Sequence, residues 1–277
     1  MFLIRVLLFG SAVFGLAGCT SAGGRLVSMD LESGRPVVEA TFGAGEGGRF
    51  IFDTGAQGGV IFKDDADALK LKVIGEALLG SPLGGPPLSA LVVELPEIAL
   101  NGTRAANDDF VTMPRSALTL PGVIGVMGPA QWSKNVVEID LQGATLWIGK
   151  APRKPITAWI PLSERNLLGG TTNIAGTSIG FHLDTGNPRG VLLPMALAAT
   201  LVTTGGLTDA GVIRTVDSTI PVKKGGVSAS AQISDVEIKL TSAEFAEVAK
   251  GNFGSNTLRD FVIVIDNPNR RWGLRNR

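Results

Sequence analysis

The chain of 277 residues has no tyrosine, one histidine, one cysteine and no net formal charge. A single cysteine excludes an intrachain disulfide and a cysteine-based zinc site. One histidine leaves no HExxH pair and no cluster of nitrogen and sulfur ligands, so zinc catalysis lacks its usual parts and no metal is expected. Ser-His-Asp and Cys-His triads are very poorly supported for the same reason. Lys plus Arg and Asp plus Glu number 25 each, without a basic run, and nothing favours a nucleic acid as partner. Gly43-Ala44-Gly45-Glu46-Gly47-Gly48 has the GxGxxG spacing of a dinucleotide loop. It precedes a strand instead of following one and opening a helix, so it reads as a hairpin turn, and no cofactor is expected. What the chain does have is 44 % apolar residues, 18 % charged residues and 37 glycines, the balance of a globular, turn-rich, β-rich protein. Its length allows one large or two medium domains with a buried core.

Long apolar runs are also missing. The stretch from Phe2 to Phe14, interrupted by Arg5, is short for a membrane span and reads as a secretory signal. Leu16-Ala17-Gly18-Cys19 follows and resembles the bacterial lipoprotein box, whose cysteine is lipidated and becomes the mature N-terminus. The resemblance implies a signal peptide over 1–18, a lipidated tether over 19–25 and a soluble body held at a membrane by acyl chains on Cys19. Thr20, where Asp would mark inner-membrane retention, implies sorting to the outer membrane, facing the periplasm.

The remainder repeats itself. Phe50-Ile51-Phe52-Asp53-Thr54-Gly55 leads into Gly59-Val60-Ile61-Phe62, and Phe181-His182-Leu183-Asp184-Thr185-Gly186 leads into Gly190-Val191-Leu192-Leu193 in the same register. Each copy is an apolar strand ending in Asp-Thr-Gly, a second apolar strand, and then a short helical pattern, at 64–69 and 194–199. Gly84-Gly85 and Gly225-Gly226 read as matching turns between strands. Glu97–Gly102 and Glu237–Ser242 read as matching half-buried strands. Gly128 precedes Asp140, and Gly254 precedes Asp266, by 12 residues each, and both intervals close in an apolar strand, a turn and a Trp. Such ordered landmarks imply an internal duplication. The join falls in the charged, Pro-containing 150–155 segment, giving an N-terminal lobe over 26–152 and a C-terminal lobe over 153–277.

Two carboxylates delivered by duplicated scaffolds have a known chemical use. Glycine after the aspartate lets backbone approach closely and offer N–H groups to the carboxylate. Threonine supplies a hydroxyl that can bond main chain in the opposite half. Two such carboxyls face to face cannot both ionise freely, so they share a proton; one can activate a water while the other polarises a carbonyl.

These motifs resemble those of the pepsin/retropepsin-like aspartic peptidases, in a single-chain, two-lobed form, over residues 26–277. Pro121–Gly128 is similar to the family's apolar-apolar-Gly element behind the catalytic loop, and 251–266 to its C-terminal counterpart. In the first half local sequence favours Gly125 as the crossing glycine and spacing favours Gly128. The resemblance implies an all-β fold of two homologous lobes around an interlobe cleft. It implies Asp53 and Asp184 as the dyad, supported by Thr54, Gly55, Thr185 and Gly186, with Gly84-Gly85 at a flap tip and Gly225-Gly226 as its second-lobe equivalent. The expected activity is membrane-anchored endopeptidase hydrolysis of extended polypeptide, and because both half-sites lie in one chain a monomer suffices. The missing flap Tyr, Ala56 and Asn187 at the fourth loop positions, and Pro188 depart from the pepsin pattern. Ala56 suits the retropepsin branch, whereas the absent Tyr and Asn187-Pro188 motivate an alternative, a non-catalytic envelope protein that binds peptide or a partner in the same cleft.

Other polar residues read as structural. His182, at the position of Ile51 in the first copy, reads as a packing residue near the pair. Asp64, Asp65 and Asp67 lack the ligand spacing and glycine of an EF-hand and read as a solvated helix start. Arg259 and Asp260 read as structural charges, Asp140 and Asp266 as turn residues.

Overall fold

The computed structural model describes residues 23–79, 87–115, 120–214 and 219–277. The leader expected over 1–18, Cys19 and the Gly84-Gly85 turn lie outside the described residues. Within them the helices are short, at Lys63–Ala68, Ala198–Leu201 and Ser255–Leu258, and strands carry most of the regular structure. The chain is all-β, in multiple sheets. No described helix is long and apolar enough to cross a membrane.

The repeat seen in the sequence is a repeat of strand order. In the first half the neighbours run Lys72–Leu79, Leu88–Glu94, Asp109–Met113, Gly59–Phe62, Val123–Met127, Glu46–Phe52, Arg35–Phe42. In the second they run Val202–Arg214, Thr219–Ile233, Val236–Ala246, Val191–Pro194, Gly251–Gly254, Thr177–Asp184, Gly169–Ile174. Directions match as well. The strand before each aspartate pairs in parallel with the crossing strand, Val123–Met127 or Gly251–Gly254. That crossing strand pairs antiparallel with the strand after the aspartate. Both aspartate strands end deep in the structure, which explains why Phe50-Ile51-Phe52 and Phe181-His182-Leu183 are buried without alternation.

A further sheet joins the halves. Val136–Asp140 pairs antiparallel with Phe261–Asp266, so that Val136 faces Asp266 and Asp140 faces Val262, as a local two-fold requires. Gly24–Ser28 closes one side of this sheet, so Gly24 and Arg25 are strand, not free tether. Glu138 is buried in it and accepts hydrogen bonds from Arg275 (2.9 Å) and the backbone N–H of Arg153. Asp140 and Asp266 do act as turn residues: Asp140 accepts from the Gly143 N–H at 2.8 Å, and Asp266 accepts from Asn269 and Arg271, each at 2.8 Å. The core is continuous across both halves, with Phe52, Trp132, Phe181, Ile265 and Trp272 in one cluster.

The structure decides between the two candidate crossing glycines. The Asp53 N–H donates to the Met127 carbonyl (2.9 Å), and a Cβ on Gly128 would overlap the carbonyl oxygen of Ala56 in the aspartate loop. Gly254 occupies the same place in the second half, where a Cβ would lie 2.7 Å from the Asn187 carbonyl oxygen. Gly128 therefore matches Gly254. Gly125 pairs with Phe50 as Gly251 pairs with Phe181, so these two glycines correspond to each other. Because Gly128 has an ordinary extended backbone (φ −100°, ψ 158°), its requirement is steric. Gly128→Ala is expected to destabilise by about 1–3 kcal/mol in urea unfolding, by pushing against the loop backbone.

Two expectations are corrected. Gly225 and Gly226 are not at a hairpin tip: they lie within Thr219–Ile233, opposite Ala243 and Ser242. A Cβ on Gly225 would lie 2.8 Å from a Val202 methyl, so glycine there permits close strand approach beside a register shift. The connection between the corresponding strands instead spans 215–218, outside the described residues, with Arg214 paired to Thr219. The segment 97–102 forms only the two-residue strand Ala99–Leu100, whereas its expected match lies in the long strand Val236–Ala246. Other local readings hold. Gly43–Gly48 contains the turn between Arg35–Phe42 and the strand to Phe52. Asp64, Asp65 and Asp67 sit on the helix Lys63–Ala68, where Lys63 pairs with Asp67 and Arg115 with Asp65.

Candidate active site

The two Asp-Thr-Gly loops meet at the junction of the halves. Thr54 and Thr185 are fully buried and grip each other's backbone. The Thr54 hydroxyl donates to the Leu183 carbonyl (2.9 Å) and accepts from the Thr185 N–H (3.1 Å). The Thr185 hydroxyl donates to the Phe52 carbonyl (2.7 Å) and accepts from the Thr54 N–H (3.0 Å). Each hydroxyl thus satisfies one donor and one acceptor of the opposite loop, and the four bonds set the separation of the neighbouring aspartates.

The carboxyls of Asp53 and Asp184 converge on one point: a Cβ placed on Gly55 would lie 3.1 Å from Oδ1 of each. Asp53 Oδ1 accepts from the N–H of Gly55 (2.6 Å) and, across the junction, of Gly186 (3.2 Å). A Cβ on Gly186 would sit 2.5 Å from Asp53 Cγ, so the glycine is what lets the second loop back onto the first carboxyl. Asp184 Oδ1 accepts from the Asn187 N–H (2.9 Å), and Asp184 Oδ2 accepts from the Asn252 amide (2.8 Å).

Burial, then the charge of Asp184 beside it, holds the Asp53 carboxyl well above the ordinary carboxylate range, against the opposing pull of the Gly55 N–H. The sign for stability follows. Between the unfolded pKa, about 3.9, and the raised native one, folded protein keeps a proton that unfolded chain has released. Stability is therefore highest below that window and falls as pH rises through it. Asp53→Asn removes this titration while keeping an acceptor for Gly55 and Gly186. Its melting temperature relative to wild type is expected to rise as pH goes from acidic to neutral; a gap that stays constant with pH would refute the assignment.

Three residues in this neighbourhood carry no motif of their own. Asn252 and His182 complete a polar network behind Asp184, with Asn252 Nδ2 2.8 Å from His182 Nε2. Arg35 enters through the two-residue turn Ser33-Gly34, both residues at positive φ, which seats against Pro188 and Ser255. Its Nε donates to the Gly186 carbonyl (2.9 Å), and the charges of Asp53 and Asp184 partly offset the burial that lowers its pKa. Asn187, at the fourth loop position, donates its amide to Asn252 Oδ1 (2.9 Å). Of the expected residues, the structure thus brings together Asp53, Thr54, Gly55, Asp184, Thr185 and Gly186, and leaves Gly225 and Gly226 in a strand interior.

Residues 38–127 match a family model described as aspartyl protease. The match takes in the strand leading to Asp53, its Asp-Thr-Gly loop and the crossing strand through Met127, and lies wholly within the first of the two halves. The second loop, at 184–186, lies beyond it. No curated protein matches the chain. The match supports a peptidase of the aspartic class.

Proposed function

We propose that this protein is an aspartic endopeptidase that hydrolyses extended polypeptide, with Asp53 and Asp184 as its catalytic dyad. The observation that carries the reading is the convergence of the two carboxyls beside Gly55, where the reciprocal threonine grip locks the two loops together. In the proposed reaction Asp184 takes a proton from a water whose oxygen attacks the peptide carbonyl carbon, and Asp53 gives its proton to the carbonyl oxygen. The resulting tetrahedral diol collapses as a proton passes to the amide nitrogen and the C–N bond breaks. The products are a carboxylic acid and an amine, and no covalent intermediate forms.

Substrate binding is proposed under the hairpin of Lys72–Leu79 and Leu88–Glu94, whose connection includes Gly84-Gly85, as a strand added along the cleft. The leader and Cys19 support anchoring by acyl chains at the outer membrane, with the body on the periplasmic side. One chain provides both aspartates, so the proposal needs no second copy. The experiment is incubation of the protein with an unfolded polypeptide and a peptide library from acidic to neutral pH. Cleavage within peptides is expected; binding without cleavage throughout that range would favour the non-catalytic alternative.

A further inference from the structure

We propose that His182 is a positioning residue which, through the amide of Asn252, keeps Asp184 in the state that accepts a proton from water and thereby sets the acid side of the activity profile. The inference rests on the peptidase reading, and it begins from an asymmetry between the halves. His182 precedes Asp184 by two residues on the strand Thr177–Asp184, so both side chains project to one face. Across the parallel pairing His182 lies opposite Asn252. At the corresponding positions of the first half Ile51 lies opposite Val126, and both belong to an apolar cluster with Val37 and Phe62. A polar pair stands where the duplicated scaffold is stable with an apolar one, and burying polar groups costs free energy unless every one is satisfied.

Every polar group of Asn252 is satisfied, and in one orientation. Its Nδ2 donates to Asp184 Oδ2 and contacts His182 Nε2, both at 2.8 Å, while its Oδ1 accepts from Asn187 at 2.9 Å. Turning the amide over would set oxygen against the Asp184 carboxylate and NH₂ against NH₂ of Asn187. With one Nδ2 hydrogen on Asp184 and the other on His182, the imidazole Nε2 must present a lone pair, so His182 is neutral and protonated on Nδ1. A proton on Nε2 would confront the Asn252 donor and release it from Asp184.

Burial also disfavours the imidazolium, the charge of Asp184 opposes that, and Lys250 adds to it. The facing positions on the two strands flanking His182 are Gly169 and Asn252, neither of them charged. Below the pH at which His182 protonates, Asp184 loses its side-chain donor, and activity falls.

The chain contains one histidine, so nitrogen-labelled histidine in the full chain, made without a histidine tag, gives one imidazole to observe by NMR. Near neutral pH the Nδ1–H tautomer is expected; an Nε2–H tautomer or a charged ring overturns the inference, with no variant required. Kinetics on a cleaved peptide give the second arm. Asn252→Asp, nearly isosteric but without the donor, is expected to lower kcat about 100-fold with KM little changed. His182→Gln, which can present an uncharged acceptor at the Nε2 position, is expected to move the acid limb of kcat/KM down by about one pH unit or more. If both variants keep the wild-type profile and kcat while Asp53→Asn and Asp184→Asn are inactive, the inference fails and the peptidase reading stands. If the aspartate variants still cleave, the peptidase reading itself has failed.

Discussion

Asp53→Asn and Asp184→Asn should each lower the rate of peptide cleavage by roughly 10³-fold or more, with substrate binding largely kept. The two losses have different causes. Asn at 184 cannot take a proton from water, although it can still accept from the Asn187 N–H. Asn at 53 retains an acceptor for Gly55 and Gly186 but has no acidic proton for the substrate carbonyl. Because the groups act as one unit, the double variant should be scarcely worse than either single one. Single-turnover cleavage of one defined peptide, with binding measured separately, checks this. Full activity in either single variant would remove the dyad assignment.

The second large effect concerns stability. Thr54→Val keeps the volume of the side chain but deletes its hydroxyl, leaving the buried Thr185 N–H and Leu183 carbonyl without their cross-junction partner. An unsatisfied buried polar group costs about 1–3 kcal/mol, so the expected loss is about 2–4 kcal/mol, or a fall of roughly 5–15 °C in Tm for a protein of this size. Thr185→Val should behave alike, because its bonds mirror those of Thr54. Thr→Ser at either position keeps the hydroxyl and should cost under about 1.5 kcal/mol. Paired urea and thermal unfolding of the Val and Ser variants separates the grip from simple packing. Equal losses in both would show that the hydroxyls contribute little. The Val variants should also lose activity, since the grip holds both carboxyls in register.

Several features could be read directly from the chain because their signals are local. The apolar runs ending at Asp53 and Asp184 form strands, the Gly43–Gly48 segment turns a hairpin, and the acidic 64–67 segment opens a helix, each specified by neighbours within a few residues. Glycine misled where it serves two purposes. Gly225-Gly226 resembles a turn, yet it lies in a strand of 15 residues, where the missing side chain makes room for Val202. Asn252 gave no motif, because its meaning depends on a parallel pairing with a strand some 70 residues earlier. Arg35 was silent for a similar reason: a hairpin from the first half has to dock on the loop of the second before its guanidinium reaches Gly186.

The amino-acid sequence alone determined that two like halves each bring one Asp-Thr-Gly loop, since a motif and its spacing repeat along the chain regardless of how the halves are joined. Tertiary structure decided that the aspartates are unlike. Asp184 is backed by Asn252 and His182, whereas the same positions behind Asp53 are filled by Val126 and Ile51. Protonation depends on burial and on the charges and donors that converge from distant strands. Burial, and then the charge of Asp184, raises the Asp53 carboxyl, and no reading of the two identical tripeptides could have distinguished one from the other.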